Sequence, residues 1–427
     1  MKNLSALLIL WLTLVTAGWS QQLEAVLNPQ AGGFSAERLK VLDARLNEWV
    51  EKGWMQGGAV LVARHGKIVY HKAVGYNDRE AKLLMKKDDI FRIASQTKAI
   101  TSVAIMQLFE QGKLLLDDPV SKYLPAFGKQ QVLASFNEAD TTYTTVPAKS
   151  EITIRQLLTH TSGLGYAQIG SKEANAIYAK ANLTAGIGVV NDDLLSAMNR
   201  LGKLPLMHQP GERWTYGLNT DLLGCLVEQI SGKTLDQFFY EQLFEPLGMK
   251  DTYFLLPTAK ADRLVKLYRE TSDGKLEKSI GGLLNGQTVT PDYPLKKSTY
   301  YSGGAGLSST IEDYAIFLQM LLNGGVYNGK RILGRNTVDM MITNQIGDLS
   351  YSNQHKFGLG FSIITDKSQR LTPANTGTFA WGGAFATSYW VDPQEKMVYL
   401  FYRQLQGTTK GEMVEKFRAM VYQAIQD

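Results

Sequence analysis

A serine and a lysine three residues apart are the first candidates for chemistry in this sequence. Ser95 and Lys98 occur in the stretch Ser-Gln-Thr-Lys, at the start of a predicted helix. Three residues are almost one helical turn, so the two side chains lie on the same face. A serine hydroxyl needs a nearby base to act as a nucleophile, and a lysine can supply it when its surroundings lower its pKa. The pair predicts nucleophilic catalysis, although the same spacing is also common at solvated helix starts.

Two further segments carry residue types that could complete such a site. Tyr216 lies in WTYGLNTDLLG, between a Pro-Gly-Glu turn and a predicted helix, and a phenol beside an ammonium group can shuttle a proton. Gly382 and Gly383 follow Trp381 in FAWGGA, within a predicted strand. Glycines inside a strand often mark a bulge or a ligand that approaches the backbone closely. Taken singly, the tyrosine is more typical of packing and the glycines of a bulge.

The elements that must position these residues come from both ends of the chain. Strands are predicted at residues 57–62, 68–74, 357–365, 379–391 and 397–403. Helices are predicted at residues 36–52, 91–110, 311–322 and 413–425, with mostly helical periodicity from 152 to 254. Strands at the two ends of a chain find neighbours by pairing with each other, which predicts one antiparallel sheet.

Together and in this order, the three segments resemble the serine β-lactamase and penicillin-binding-protein superfamily. Its signature is Ser-x-x-Lys, then a tyrosine or Ser-x-Asn element, then Lys-Thr-Gly on a strand. The stretches FRIA before Ser95, LLTHTSGL at 157–164 and GGAGLSS at 303–309 are similar to its class C branch and related esterases. The resemblance covers residues 40–425.

The resemblance implies a fold and a domain arrangement. The fold is α/β, a β-lactamase-like sandwich with an antiparallel sheet flanked by helices. Residues 36–120 and 298–427 would form the α/β domain, and residues 121–297 a mostly helical inserted domain. The catalytic cleft would lie between these two parts.

The resemblance also implies a role for each candidate residue. Ser95 would form an acyl-enzyme, while Lys98 and Tyr216 would share the general-base and general-acid work. The backbone N–H groups of Ser95 and Ala384 would form the oxyanion hole. Such a donor typically stabilises the transition state by about 3–4 kcal/mol.

Two departures from the β-lactamase pattern favour ester substrates. Leu218 stands at the asparagine of Tyr-x-Asn, and Trp381 stands at the lysine of Lys-Thr-Gly. Both changes make the site more apolar, and Leu218, Trp381, Gly382 and Gly383 are predicted to contact the substrate. The pattern is similar to the family VIII carboxylesterases. We therefore expect a carboxylesterase, which could also turn over β-lactams weakly. The alternatives are a β-lactamase, a D-amino-acid peptidase, an acyltransferase and, more distantly, a non-catalytic penicillin-binding-like receptor.

Composition and the N-terminus indicate the setting. The 427 residues are 44% hydrophobic and 20% charged, as in ordinary globular proteins, and the net charge of +5 is spread without a basic block. We therefore expect no nucleic acid partner. Residues 1–20 have the charged start, apolar run and small residues of a signal peptide, and the run is too short to span a bilayer. We expect cleavage, a periplasmic or secreted location and no membrane span afterwards.

No cofactor is expected, and the predicted partner is a small-molecule ester or acyl substrate. The five histidines show no metal-ligand spacing, and no phosphate-binding glycine loop follows a strand. The single cysteine, Cys225, lies in an apolar helical stretch, which predicts a buried structural thiol rather than a nucleophile.

Overall fold

The part of the chain that the structure describes contains runs of strands near both ends and a run of helices between them. This computed structural model describes residues 22–167, 169–183, 186–284 and 287–427, so the predicted signal peptide at 1–20 lies outside it. The strands are β1 Glu24–Ala25, β2 Gly57–Arg64, β3 Lys67–Asp78, β4 Leu83–Leu84, β5 Phe91–Arg92, β6 Gln131–Asn137, β7 Thr142–Pro147, β8 Tyr268–Glu270, β9 Leu276–Lys278, β10 Gly282–Leu284, β11 Gln287–Val289, β12 Ser308–Ser309, β13 Val326–Tyr327, β14 Lys330–Arg331, β15 Lys356–Phe357, β16 Ser362–Ile363, β17 Phe379–Gly383, β18 Thr387–Asp392, β19 Met397–Tyr402 and β20 Leu405–Gln406. The α-helices are α1 Ala36–Glu51, α2 Thr97–Glu110, α3 Ile154–Leu158, α4 Lys172–Lys180, α5 Leu194–Leu201, α6 Asn219–Ser231, α7 Leu235–Phe239, α8 Glu245–Leu247, α9 Ile311–Leu322, α10 Arg335–Met341, α11 Asp366–Gln369 and α12 Glu412–Gln423. Within these ranges, no helix is both long enough and apolar enough to cross a membrane.

A nine-stranded sheet joins the two ends of the described chain. Its order is β1-β3-β2-β19-β18-β17-β16-β15, and β4 pairs with β3. All the pairings are antiparallel except the short contact between β1 and β3. Because β19 pairs with β2, the predicted sheet built from both chain ends is confirmed.

Alternating side chains of this sheet bury two different cores. Along β19, alternate residues Val398, Leu400 and Tyr402 join the core that contains α2 and α9. The intervening residues Met397, Tyr399 and Phe401 join the core that contains α1 and α12. Successive strand residues point to opposite faces, so an uninterrupted apolar strand indicates a sheet covered on both sides.

Helix α2, which follows Ser95, is buried almost throughout. Every residue from Thr97 to Leu108 is buried, including Lys98. A helix that is apolar on nearly all sides is typical of the centre of a large protein rather than its surface. The helix therefore holds the candidate lysine inside the molecule.

Residues 121–297 contain helices α3 to α8 and also strand pairs that the sequence did not indicate. Strands β6 and β7 form an exposed antiparallel hairpin in the segment that was predicted to be mostly helical. Strands β8 to β11 lie in the last part of the segment, and β8 pairs with β20 near the C-terminus. The segment is thus partly stranded and is joined to the C-terminal part of the chain by a strand pair.

Two predicted strands are wrong in detail. Residues 379–391 form a hairpin, β17 and β18, whose register is regular from Gly383↔Thr387 onward, and the turn between them contains Ala386 at φ 64°. The two glycines are therefore not a bulge. Residues 357–365 likewise form two short strands, β15 and β16, instead of one. In both cases small residues allow a tight turn where apolar periodicity alone predicts continuation.

Candidate active site

The nucleophile candidate lies in a strained turn at the start of α2. Ala94–Gln96 form one turn of 3₁₀ helix that continues into α2, and Ala94 has φ 43°. A left-handed conformation in a residue other than glycine costs about 1–3 kcal/mol and is typical of functional sites. The hydroxyl of Thr97 donates to the Ala94 carbonyl (2.7 Å) and accepts from the Leu307 amide (3.1 Å). Neighbouring contacts thus fix the conformation that presents Ser95.

Ser95, Lys98 and Tyr216 come together although 121 residues separate the first from the last. Ser95 Oγ lies 2.8 Å from Tyr216 Oη, and Lys98 Nζ lies 3.4 Å from Ser95 Oγ. Nζ also donates to the Gly304 carbonyl (2.7 Å) and sits 4.8 Å from the centroid of the Tyr216 ring. A hydroxyl in contact with a phenol that is next to an ammonium group has a direct route for its proton.

Packed rings hold the candidate tyrosine in place. The Tyr166 ring stacks on Tyr216 with a centroid distance of 5.5 Å, and the His160 ring lies at 5.2 Å. Burial, followed by the charge of Lys98, lowers the pKa of His160 to about 3, so this imidazole is neutral around physiological pH. Asn219 Nδ2 donates to His160 Nδ1 (3.0 Å), which fits a structural role for the histidine.

Strand β17 and the turn that follows it lie next to the turn that carries Ser95. An added Cβ on Gly383 would lie 2.3 Å from the Ile93 carbonyl oxygen, so only glycine fits where β17 meets the nucleophile turn. Ala384 follows at the start of the β17–β18 turn, and Phe385 packs against the buried Ala94. The turn that carries the Ala384 amide is therefore next to the turn that carries Ser95.

Aromatic side chains form the wall beside the tyrosine. The Trp381 ring lies 6.0 Å from the ring of Tyr216, 5.4 Å from Phe357 and 6.3 Å from Tyr351. Trp214 extends the same wall at 4.6 Å from Tyr351. Where the β-lactamase pattern has a lysine, this chain presents a half-buried, apolar surface.

The structure places Leu218 outside the cleft. Its side chain is fully buried (0% exposed) at the start of α6, so it has no surface to offer a substrate. Asn219 is equally buried, and its side-chain amide is hydrogen-bonded to His160 and Ser162. The leucine at position 218 therefore removes the polar group of the Tyr-x-Asn pattern and does not supply the apolar substrate contact that was predicted.

Asp221 was missed in the sequence, although it is a lone acid in an apolar helical stretch five residues after the tyrosine. It is 1% exposed, and its Oδ1 accepts from Ser302 Oγ (2.7 Å) and Tyr300 Oη (3.3 Å). Burial raises the pKa of this carboxyl, while the Ser302 hydroxyl and the charge of Lys98 act in the opposite direction. The feature that could have indicated Asp221 in the sequence is a charged residue next to an apolar helical run.

A cleft of about 660 Å³ opens beside Tyr216. One side is formed by residues 133–136 of β6, and the other by Tyr166, Trp214 and the loop around Ile169. Its rim carries the charged side chains of Glu138, Glu173 and Arg213. This volume is typical of pockets for small organic ligands.

Comparison with known proteins shows which family the chain belongs to. The family model described as Beta-lactamase matches residues 42–422, nearly all of the described chain. The chain belongs to the β-lactamase family. Esterase EstB of Burkholderia gladioli is 32% identical over 379 residues, which cover 86% of this chain and 91% of the esterase.

Other members of the β-lactamase family show the same relationship. Lovastatin esterase of Penicillium rubens is 26% identical over 414 residues, covering 89% of this chain and 98% of that enzyme. The solved structure of EstCE1, a hydrolase with promiscuous acyltransferase activity, matches with a TM-score of 0.78 and 30% identity, covering 90% of this chain and 98% of the other. The predicted β-lactamase-like fold is confirmed, and the chain is a member of a family that includes hydrolases.

Proposed function

We propose that this protein is a carboxylesterase that works through an acyl-enzyme on Ser95. The observation that carries the proposal is the 2.8 Å contact between Ser95 Oγ and Tyr216 Oη with Lys98 Nζ beside both. The similarity to Esterase EstB and lovastatin esterase supports an ester as the substrate class.

The reaction follows from the positions of these groups. Ser95 Oγ attacks the ester carbonyl as its proton moves to the Tyr216–Lys98 pair, which enters the step one proton short, and the N–H groups of Ser95 and Ala384 stabilise the oxyanion. When the intermediate collapses, the proton passes to the departing alcohol and the acyl group remains on Ser95. A water molecule then attacks the acyl-enzyme and gives its proton to the same pair, which returns that proton to Ser95 Oγ as the acid leaves.

The surroundings of the serine favour esters over β-lactams. A β-lactam carries a carboxylate, and a charge-assisted hydrogen bond to it contributes about 1.5–3 kcal/mol. Trp381 offers this carboxylate an aromatic surface and no charge. The cleft beside Tyr216 leaves room for a bulky acyl or alcohol group. A β-lactamase, a D-amino-acid peptidase and an acyltransferase remain the alternatives, since they would use the same nucleophile.

The test measures hydrolysis of p-nitrophenyl esters, from acetate to long acyl chains, alongside nitrocefin. We expect rapid ester turnover by the wild-type protein, little nitrocefin turnover, and a loss of at least about 10³-fold in Ser95→Ala, because the nucleophile is absent. Ser121 supplies the matched control, since Ser121→Ala removes the hydroxyl of a half-buried serine that belongs to none of the three candidate segments.

The other outcomes are equally informative. Efficient nitrocefin turnover with poor ester cleavage would identify a β-lactamase. Ester turnover that survives in Ser95→Ala would disprove the proposed nucleophile.

We include export in the proposal, supported by the charged, apolar and small residues of positions 1–20. The intact mass of protein recovered from the periplasm of an expression host tests this directly. A mass equal to that of the full chain would contradict cleavage.

A further inference from the structure

The carboxyl of Asp221 faces the catalytic ammonium group without touching it. A Cβ on Gly304 would lie 2.5 Å from Asp221 Oδ2 and 3.4 Å from Lys98 Nζ. The two groups therefore lie within about 6 Å of each other, a range in which an opposite charge shifts a pKa. Glycine at 304 leaves this space open.

The two oxygens of the Asp221 carboxyl differ in their hydrogen bonding. Oδ1 accepts from Ser302 and Tyr300, which fixes the orientation of the side chain. Oδ2 is buried and has no hydrogen-bond partner of normal geometry among the described residues, although the Gly304 amide faces it. A buried, unpartnered carboxylate oxygen is costly, and a nearby positive charge is what offsets that cost.

We propose that Asp221 is a positioning residue whose negative charge keeps Lys98 as an ammonium ion, so that the phenolate of Tyr216 is the base that accepts the Ser95 proton. This inference rests on the proposed function, because it concerns the same nucleophile. Asp221 touches neither serine nor substrate, and acts through Lys98.

The groups facing Asp221 come from three parts of the chain. Lys98 lies on α2, Tyr166 on the loop before α4, and Tyr300 and Ser302 on the loop before β12. Burial and then the Asp221 charge raise the pKa of Tyr166 and of Tyr300 well above the usual value, so both phenols stay neutral. Among the groups that face Asp221, Lys98 is therefore the one that carries a charge.

The sign of the effect follows from simple electrostatics. The Lys98–Tyr216 pair is active with one of its two protons removed. A nearby negative charge opposes the loss of a proton from a neighbouring cation or phenol, so its removal acts on both limbs of the pH–rate profile in the same direction. Asp221→Asn removes the charge but keeps the size, and should move both limbs of the pH–rate profile to lower pH by about 1–2 units.

The experiment follows reaction of Ser95 with a fluorophosphonate by intact-protein mass spectrometry from pH 5 to 11. This readout needs no ester turnover, so failure of the proposed substrate class and failure of this inference are distinguishable. Asp221→Ser, which also removes the charge and can accept from Ser302, is the second variant if Asp221→Asn folds poorly. Asp313→Asn is the matched control, because Asp313 is also buried but binds Thr252 and the Asp251 amide.

We expect both charge-removing variants to shift the profile and the control to leave it in place. Profiles of Asp221→Asn and the wild type that coincide would overturn the inference, as would an equal shift in Asp313→Asn. Slower labelling at an unchanged pH optimum would also overturn it, since that result indicates a merely structural role. A wild-type protein whose Ser95 does not react at all would overturn both this inference and the proposed nucleophile.

Discussion

At the scale of single residues, the main difference between the candidate site and the β-lactamase pattern is that Trp381 stands where that pattern has a lysine. A lysine there would face the carboxylate of a β-lactam, whereas the indole contacts Tyr216, Tyr351 and Phe357. The aromatic side chains thus form a continuous wall from the ring of Tyr216 to the C-terminal strands. Substrate preference in this site should depend on that one side chain more than on Leu218, which is buried.

Trp381→Lys tests this dependence. A charge-assisted hydrogen bond to the nitrocefin carboxylate should lower the KM for nitrocefin about tenfold or more. Ester turnover should fall, because the apolar wall is lost. Steady-state kinetics on both substrates give the answer, with Trp381→Phe as the control that keeps a ring without a charge. An unchanged nitrocefin KM in the lysine variant would show that position 381 does not face the substrate carboxylate.

The sequence identified Ser95, Lys98 and Tyr216 because each occurs in a local motif, and the structure brings all three together. It did not identify Tyr166, whose ring stacks on Tyr216, or Asp221, whose carboxyl lies near the charge of Lys98, because the partners in each pair are far apart in the chain. It also could not show that Leu218 faces the core, because an apolar residue at a helix start fits either a pocket or the interior. Local residue types predict chemistry, while orientation depends on the packed fold.

At the scale of elements, strand β17 approaches the turn that carries Ser95 so closely that only glycine fits at position 383. Gly383 lies against the Ile93 carbonyl and Thr387, whereas a Cβ on Gly382 would meet its nearest atom at 3.2 Å. The sequence predicted one strand over 379–391 and missed the turn, because strand periodicity is the same on both sides of it. The hairpin is what carries Ala384 to the serine.

Gly383→Ala and Gly382→Ala form a matched pair for this contact. The first should lower kcat/KM about 100-fold, since a displacement of about 1 Å in a catalytic group has effects of that size. The second should lose far less, because its Cβ would lie 3.2 Å from the Thr387 carbonyl oxygen and needs a much smaller displacement. Kinetics on a p-nitrophenyl ester, with circular dichroism to verify folding, measure the difference. Equal losses in both variants would mean that the β17 contact does not set the geometry.

At the scale of the whole molecule, buried ionisable groups couple stability to pH. Burial lowers the pKa of all five histidines, to about 4 for His71 and about 3 for His160. The folded protein therefore binds fewer protons than the unfolded chain below the usual histidine pKa of about 6.5. Each such histidine contributes stability that is present above pH 6.5 and is lost as the pH falls towards its folded value.

His71→Gln should therefore make the free energy of unfolding less sensitive to acid. One proton contributes at most about 1.4 kcal/mol per pH unit, so the slope between pH 5 and 6.5 should fall by up to that amount. Urea unfolding at several pH values measures it. Glu228 provides a control of opposite sign, because burial raises its pKa to about 7 and its protonation in the folded state adds stability as the pH falls. Glu228→Gln should make the protein more acid-sensitive, and slopes that move the same way in both variants would contradict this assignment.

The pairing of β19 with β2 also sets when the protein can become active. During synthesis, Ser95 emerges long before β19, yet β19 supplies Tyr402, whose hydroxyl donates to the Gln96 side chain beside the nucleophile (2.5 Å). The neighbouring strand β18 follows β17, which delivers the Ala384 amide. Contacts between such distant parts of a chain form late, because closing the long loop costs entropy first. A growing or unfolded chain therefore carries Ser95 and Lys98 before the strands that complete the candidate site, whose geometry forms only after the last sheet strands have been added.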